Sequence, residues 1–202
     1  MTQEQKVFVV DDDLAIRDSL TALLQASGYA AAAYESADAF LAGEAPRAAG
    51  CLIVDVRMPG KNGLELQKEL VGLGSPLAVI VMTGHADIPI AVQAMKAGAV
   101  DFLEKPCEES ALLESVSRAF ERVATASRHI DAAHAVTARM QTLTDRERQV
   151  LDLIVAGRAN KVIAYELDIS PRTVEIHRSR VMEKMGARNL ADLVRMVLTV
   201  VT

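Results

Sequence analysis

Asp11 and Asp12 follow the apolar run Val7-Phe-Val-Val10, and Asp55 ends the run Leu52-Ile-Val54. Thr83 follows Leu77 to Met82, and Lys105 comes just after Ala99 to Leu103. A short apolar run bounded by a turn signal, such as Met58-Pro59-Gly60 after Asp55, reads as a strand buried on both faces. In an open parallel sheet the carboxyl ends of the strands form one rim, and ligands bind there. Three carboxylates gathered on that rim repel one another and partly protonate unless a cation sits among them. Oxygen-only ligands with room for water suit Mg²⁺. Lys105 and the Thr83 hydroxyl would face the same crevice. That equipment fits a phosphoryl group on an Asp55 oxygen, with metal and lysine neutralising two phosphoryl oxygens and Thr83 bonding a third.

The elements that must position these groups alternate in type. Val7–Val10 reads as a strand and Leu14–Ala26 as a helix, with Asp13 its N-cap and Gly28 its stop. A strand over Ala30–Tyr34 and a short helix over Ala37–Leu41 come next, followed by the Asp55 strand and a helix over Gly63–Val71. Leu77–Met82, Ile88–Lys96 and Ala99–Leu103 read as strand, helix and strand, and a last helix begins near Glu108. Five strands alternating with five helices imply an α/β doubly wound, five-stranded parallel sheet covered on both faces. Taken singly, the reactive groups have plainer uses: Asp11 to Asp13 as helix caps, Lys105-Pro106 as a turn, His85 as a loop residue without a nucleophile to pair with.

Together, Val9-Val10-Asp11-Asp12, Asp55-Val-Arg-Met-Pro-Gly-Lys-Asn-Gly63, Thr83-Gly84-His85 and Asp101-Phe102-Leu-Glu-Lys105-Pro106 resemble the receiver domains of bacterial two-component response regulators. The resemblance implies a flavodoxin-like fold and phosphoryl transfer to Asp55 from the histidine of a sensor kinase. It implies Mg²⁺ held by Asp12, Asp55 and the Arg57 carbonyl, with Asp11 acting through water. Thr83 and Phe102 would be the switch pair, and Lys105-Pro106 would be cis. Ala86 and Cys107 depart from the commonest pattern without touching the phosphoryl site.

Charge separates this half from the rest. Residues 1–122 balance to −8, 123–140 to +1 and 141–202 to +2, within a chain of net charge −5. An acidic front and a mildly basic back suggest two domains, the second suited to a polyanion. The N-terminus has no secretory apolar core and no apolar run reaches 18 residues, so a cytoplasmic protein with no membrane partner is expected. Two cysteines exclude a disulfide scaffold, and Cys51 reads as a small buried hydrophobe.

Residues 1–122 are expected to form the first domain, 123–141 a helical linker and 142–202 the second domain. Val116, Phe120, Val123, Ser127, Ile130, His134 and Thr137 recur at alternating spacings of four and three, a diluted heptad seam through the linker. Thr144-Asp-Arg-Glu147 is a capping box opening a helix that ends at Gly157. Asn160–Leu167 is a short helix, Asp168-Ile169 a turn, and Ser170-Pro171 cap and open a helix that runs to Met185 and stops at Gly186. A last helix covers Leu190–Val201. This small all-α unit is a helix-turn-helix.

At 100° per residue, Val174, Val181, Met182 and Met185 share the core side of the capped helix. Arg172, Ile176, Ser179, Arg180 and Glu183 point away, flanked by Glu175 on one side and by Thr173 and His177 on the other. An isoleucine between arginines on a solvent face suits a major groove, with Ile176 on a thymine methyl, Glu175 on a cytosine amino group and arginines on phosphates. Lys161 and Arg178 are further phosphate candidates, Arg178 nearer the core side. The stripe Leu190, Leu193, Val194, Val197, Leu198 and Val201 would pair two copies, setting half-sites about one helical turn apart.

Leu143-Thr-Asp-Arg-Glu-Arg-Gln-Val-Leu151, Asn160-Lys-Val-Ile-Ala164 and Ile169-Ser-Pro-Arg-Thr-Val-Glu-Ile-His177 resemble the LuxR-type DNA-binding domain of the NarL/FixJ class. That resemblance implies a regulator that activates promoters for nitrogen fixation and microaerobic respiration, with a FixL-like oxygen-sensing kinase as phosphoryl donor and RNA polymerase as a partner. A paralogue serving a different regulon fits the same motifs. On phosphorylation the chain would homodimerise through the apolar fourth-helix face of Ile88, Ile90, Val92 and Met95. Two other classes remain. An Mg²⁺-dependent hydrolase with Asp55 as nucleophile would need a substrate pocket and a second acid. A phosphate-independent DNA-binding protein would have no use for the Asp12, Asp55, Thr83 and Lys105 set.

Overall fold

Alternation along each strand decides the layering of the first unit. The computed structural model describes residues 5–84 and 88–201, Val201 along its backbone only. His85, read above as a loop residue, and Ala86, noted as a departure from the receiver pattern, lie outside the described residues. The strands β1 (Lys6–Val10), β2 (Ala30–Tyr34), β3 (Gly50–Asp55), β4 (Leu77–Thr83) and β5 (Asp101–Glu104) pair in parallel in the order β2-β1-β3-β4-β5. Phe8, Val10, Leu52, Val54, Val79 and Val81 turn to one face, under α2 (Ala37–Leu41), α3 (Gly63–Gly72) and α4 (Ile88–Lys96). Val7, Val9, Cys51, Ile53, Ile80 and Met82 turn to the other, under α1 (Leu14–Ala26) and the start of α5 (Glu109–Gln141). The doubly wound α/β expectation holds. Its strand order reverses between β1 and β3, so the ends of those two strands open onto one crevice.

Local chemistry fixes the element ends near that rim. The Asp13 carboxylate accepts from Ala15 and Ile16, capping α1. Asn62 and Glu65 form a reciprocal capping box on α3, the second such box besides that of Thr144. A Cβ on Gly63 would lie 2.2 Å from the Asp55 carbonyl, so only glycine lets α3 start against the end of β3. One expectation shifts: β5 begins at Asp101 rather than Ala99, because Gly98 (φ +91°) and the bond from Ala99 N–H to the Ala94 carbonyl spend Ala99 on closing α4. Cys51 is fully buried, and burial pushes its thiol well above the usual range.

The chain divides into two compact units between Ala126 and Ser127, inside the continuous helix α5. Along the heptad seam Val116 is buried and Val123 half-buried, while Ser127, Ile130 and His134 are exposed. The second unit packs Val136 of α5 with α6 (Asp145–Val155), α7 (Asn160–Glu166), α8 (Pro171–Met185) and α9 (Leu190–Val201). Between α7 and α8 the chain turns through Asp168 (φ +52°), a conformation aspartate tolerates better than most side chains. Ser170 then caps α8, with Pro171 in its first turn.

Leu193 and Val197 of the expected α9 pairing stripe are instead buried in this unit's own core, leaving Leu190 and Leu198 exposed. The helix is apolar on more than one side, and its domain claims the nearer half. The side chain of Val201 lies outside the described residues.

Glu147 is 2% exposed and takes the Lys184 ammonium at 2.6 Å besides the Thr144 N–H. The Lys184 bond, then the Thr144 N–H, hold its pKa down to about 2 from 4.5. A depressed acid contributes stability above its unfolded pKa and loses it as pH falls through the folded value. The second unit should therefore weaken between pH 4.5 and about 2, and Glu147→Gln should cost about 2 kcal/mol at neutral pH and flatten that acid limb. Thermal melts of both chains across that window check this.

Candidate functional site

Parallel register brings the ends of β1, β3 and β4 level, with Val10 beside Val54 and Asp55 beside Met82. Asp11 and Asp55 therefore emerge as neighbours, 3% and 6% exposed. Lys105, delivered from beyond β5, lays its ammonium between them and donates to Asp11 Oδ2 and Asp55 Oδ1. The peptide bond from Lys105 to Pro106 is cis. The remaining oxygens are held by backbone: Asp11 Oδ1 accepts from Asp13 N–H at 3.0 Å, and Asp55 Oδ2 from Arg57 N–H. Thr83, 1% exposed, ends β4 next to this cluster, and its carbonyl accepts from Lys105 N–H at 2.7 Å. Phe102 is half-buried against the α2–α4 side of the core.

Two carboxylates share one ammonium, and the protonation equilibria follow from that imbalance. Burial raises the pKa of Asp55, against the opposing pull of Lys105 and the Arg57 N–H. Burial alone would lower Lys105, but its bonds to Asp11 and Asp55 outweigh that and raise it. Lysine is thus held charged, while Asp55 gives up its charge more readily than an ordinary aspartate.

Asp12 does not join the cluster. Successive side chains of an extended backbone point to opposite sides, so Asp11 turns in and Asp12 is exposed. Among the described residues no three His, Cys, Asp or Glu side chains are placed to hold a metal ion. Arg17 was not legible in the sequence as part of this site: its guanidinium donates to the Asp11 carbonyl at 2.8 Å from one turn into α1. The exposed Arg57 contributes its N–H.

In the second unit, Val174, Val181 and Met185 are buried and Met182 half-buried, as the helical angle predicts. Arg172, Glu175, Ile176, Ser179, Arg180 and, on α7, Lys161 are exposed, Ile176 at 47%. His177 and Arg178 are half-buried, and Nδ1 of His177 is enclosed without a hydrogen-bond partner among the described residues. Thr173 is half-buried too, its hydroxyl shared with Ser170 at 2.8 Å in the helix cap. Val162 and Tyr165 extend the exposed apolar surface on α7, at 40% and 88% exposure. Their three-residue spacing is the signal that could have found them. On α4, Ile88, Val92 and Met95 are exposed, whereas Ile90 packs against the sheet core. No helix among the described residues is long and apolar enough to cross a membrane.

Residues 7–117 match the response regulator receiver domain, and residues 141–197 match the bacterial regulatory proteins of the luxR family. The chain is 52% identical to the transcriptional regulatory protein FixJ of Azorhizobium caulinodans, over 98% of this chain and 94% of that one. It resembles the structure of response regulator StyR (40% identity, TM-score 0.80), covering 97% of this chain and 99% of that chain. Full-length FixJ from B. japonicum matches at 44% identity and TM-score 0.61, over 98% of each chain. With a receiver match over the first unit, a luxR-family match over the second and FixJ relatives covering nearly the whole chain, the chain belongs to the FixJ family of two-component response regulators, transcription regulators activated by phosphorylation.

Proposed function

We propose that Asp55 is the phosphoacceptor and that its phosphorylation drives dimerisation and promoter binding. The observation that carries this is the Lys105 ammonium lying between Asp11 and Asp55 at the sheet rim. An Asp55 oxygen attacks the phosphorus of a phosphohistidine, the P–N bond breaks and the imidazole leaves, so the product is an acyl phosphate. Lys105 is already in place to neutralise the incoming oxygens, and the Thr83 hydroxyl bonds one of them. Arg57 N–H and the Asp13 N–H hold the carboxylates in their present orientation.

The donor set also fits Mg²⁺. Asp11 and Asp55 are buried oxygen donors with one uncompensated negative charge, free of sulfur or imidazole, and Asp12 is the next residue. Asp11, Asp55 and the Arg57 carbonyl would hold the ion, joined by Asp12 once its exposed side chain turns in, and the ion would supply further charge neutralisation when bound. An open cleft of about 540 Å³ beside Lys105, lined by Ile16, Leu20, Met82 and Pro106, supports access by a FixL-like kinase.

The switch runs through Thr83 and Phe102 to the α4 face of Ile88, Val92 and Met95, where two copies meet, with Ile90 beneath. Arg172, Glu175, Ile176, Ser179 and Arg180 of α8, with Lys161, then contact DNA. Thr173, His177 and Arg178 support that face from its half-buried flank. A dimer converts two weak contacts into one strong one through effective concentration. Residues 1–122, 123–141 and 142–202 act as phosphoacceptor, linker and DNA reader of a cytoplasmic activator that recruits RNA polymerase to nitrogen-fixation and microaerobic promoters.

Selecting duplexes from a random pool, with and without acetyl phosphate, tests this. A two-fold symmetric site should emerge, bound at least about tenfold more tightly by the phosphorylated chain. Equal affinity in both states would favour a regulator that ignores phosphate.

A further inference from the structure

Charged side chains tie the end of α5 to the end of α8. Arg139, in the last turn of α5, donates from Nη1 to the carbonyl of Met185, the last residue of α8, at 3.0 Å. Lys184 reaches the opposite way, donating to the Thr142 carbonyl at 3.1 Å and to Glu147. Arg148 of α6 donates to the Met140 carbonyl at 2.8 Å. Val136, three residues before Arg139, is buried in the same core as Val181 and Met185.

The last carbonyls of a helix lack partners within it and carry the negative end of its dipole, so a guanidinium there is stabilising. Gly186 closes α8 directly beside it. The glycine adopts φ +65°, and a Cβ there would sit 3.4 Å from Arg139 Nη1. The two ends of α8 are thus held differently: the first by its own cap, Ser170, and the second by a side chain from outside the matched segment 141–197.

We infer that Arg139 is a positioning residue for DNA recognition. It clasps the C-terminal turn of α8 to α5 and so sets the pose in which α8 presents Glu175 and Ile176. The inference rests on the proposed reading of α8 as the DNA-contacting helix. Arg139 acts through Met185 and touches no nucleotide.

The test uses the full chain treated with acetyl phosphate, titrated by fluorescence anisotropy against a duplex selected from the random pool and against a scrambled one. Arg139→Gln should bind the selected duplex about tenfold more weakly, the equivalent of one charge-assisted hydrogen bond. Its affinity for the scrambled duplex and its salt slope should not change, and Arg139→Lys should recover most of the loss. Weakening on both duplexes with a salt slope reduced by about one would make Arg139 a phosphate contact and overturn the proposal. Wild-type discrimination by Arg139→Gln would overturn it too, as would loss of cooperative unfolding in that variant. Ile176→Ala separates the two readings. If Ile176→Ala discriminates normally, the DNA face is misplaced and the inference falls with it; if only Arg139→Gln does, the role of Arg139 alone falls.

Discussion

Asp55→Asn should abolish labelling by acetyl phosphate and the accompanying shift to dimer in gel filtration, and it should do so without weakening the fold. An amide oxygen is too poor a nucleophile for the acyl phosphate to form, so incorporation should drop by at least about a thousandfold. The stability half of the result follows from burial. Burial raises the Asp55 pKa from its ordinary 3.8. An acid with a raised folded pKa contributes stability that is full below its unfolded pKa and is lost as pH rises through the folded value. At neutral pH the ionised Asp55 is therefore a cost. Asparagine is nearly isosteric and leaves Lys105 paired with Asp11, so the variant should sit within about 1 kcal/mol of the parent, on the stabilised side. A melt that drops by several degrees would mean that Asp55 is a structural ion-pair partner, and retained labelling would move the phosphoacceptor elsewhere.

Removing the cation should have the opposite sign. Lys105→Met leaves Asp11 and Asp55 at 3% and 6% exposure without the ammonium they share, and stranding buried charge costs about 3 kcal/mol. Lys105 has a raised folded pKa, so its contribution is present below its ordinary 10.5 and lost only as pH rises through the folded value. The loss in the variant is thus fully expressed at neutral pH. It should shrink as the pH falls and the raised Asp55 takes up a proton, and shrink again on adding Mg²⁺ at pH 7. Melting curves at pH 7 and 5, with and without millimolar Mg²⁺, measure both. A variant as stable as the parent at pH 7 and indifferent to Mg²⁺ would mean that the two carboxylates do not share a field.

The two variants also separate uses of the cluster. Asp55→Asn relieves it and should silence phosphorylation, whereas Lys105→Met loads it and should raise the affinity for a divalent ion while disabling the signal that an acyl phosphate sends through Thr83.

Much of this was legible in the linear chain because its signals are local. Asp13, Thr144 and Ser170 each satisfy N–H groups two or three residues away, so the helix starts they cap could be read at sight, whereas the Asn62 box on α3 emerged only in the fold. Continuous apolar runs and the turn residues likewise placed Asp55, Thr83 and Lys105 at or just past strand ends, and the sheet rule then gathered them. What the sequence could not decide is direction and pairing at a distance. Asp11 and Asp12 are equivalent in a string, but the pleat turns one in and leaves the other out. Ile90 and the exposed Ile88 look alike until α4 settles on the sheet, and Leu193 and Leu198 until α9 meets its core. The Lys105–Asp55 and Arg139–Met185 contacts join residues 50 and 46 apart, over which local propensity carries no information. Residue types and spacing determined which groups reach the rim and which helix offers arginine and isoleucine to solvent. Only packing decided which oxygen the lysine takes and which end of α8 the long helix holds, because those choices minimise buried, unpaired charge across elements that meet only in the folded chain.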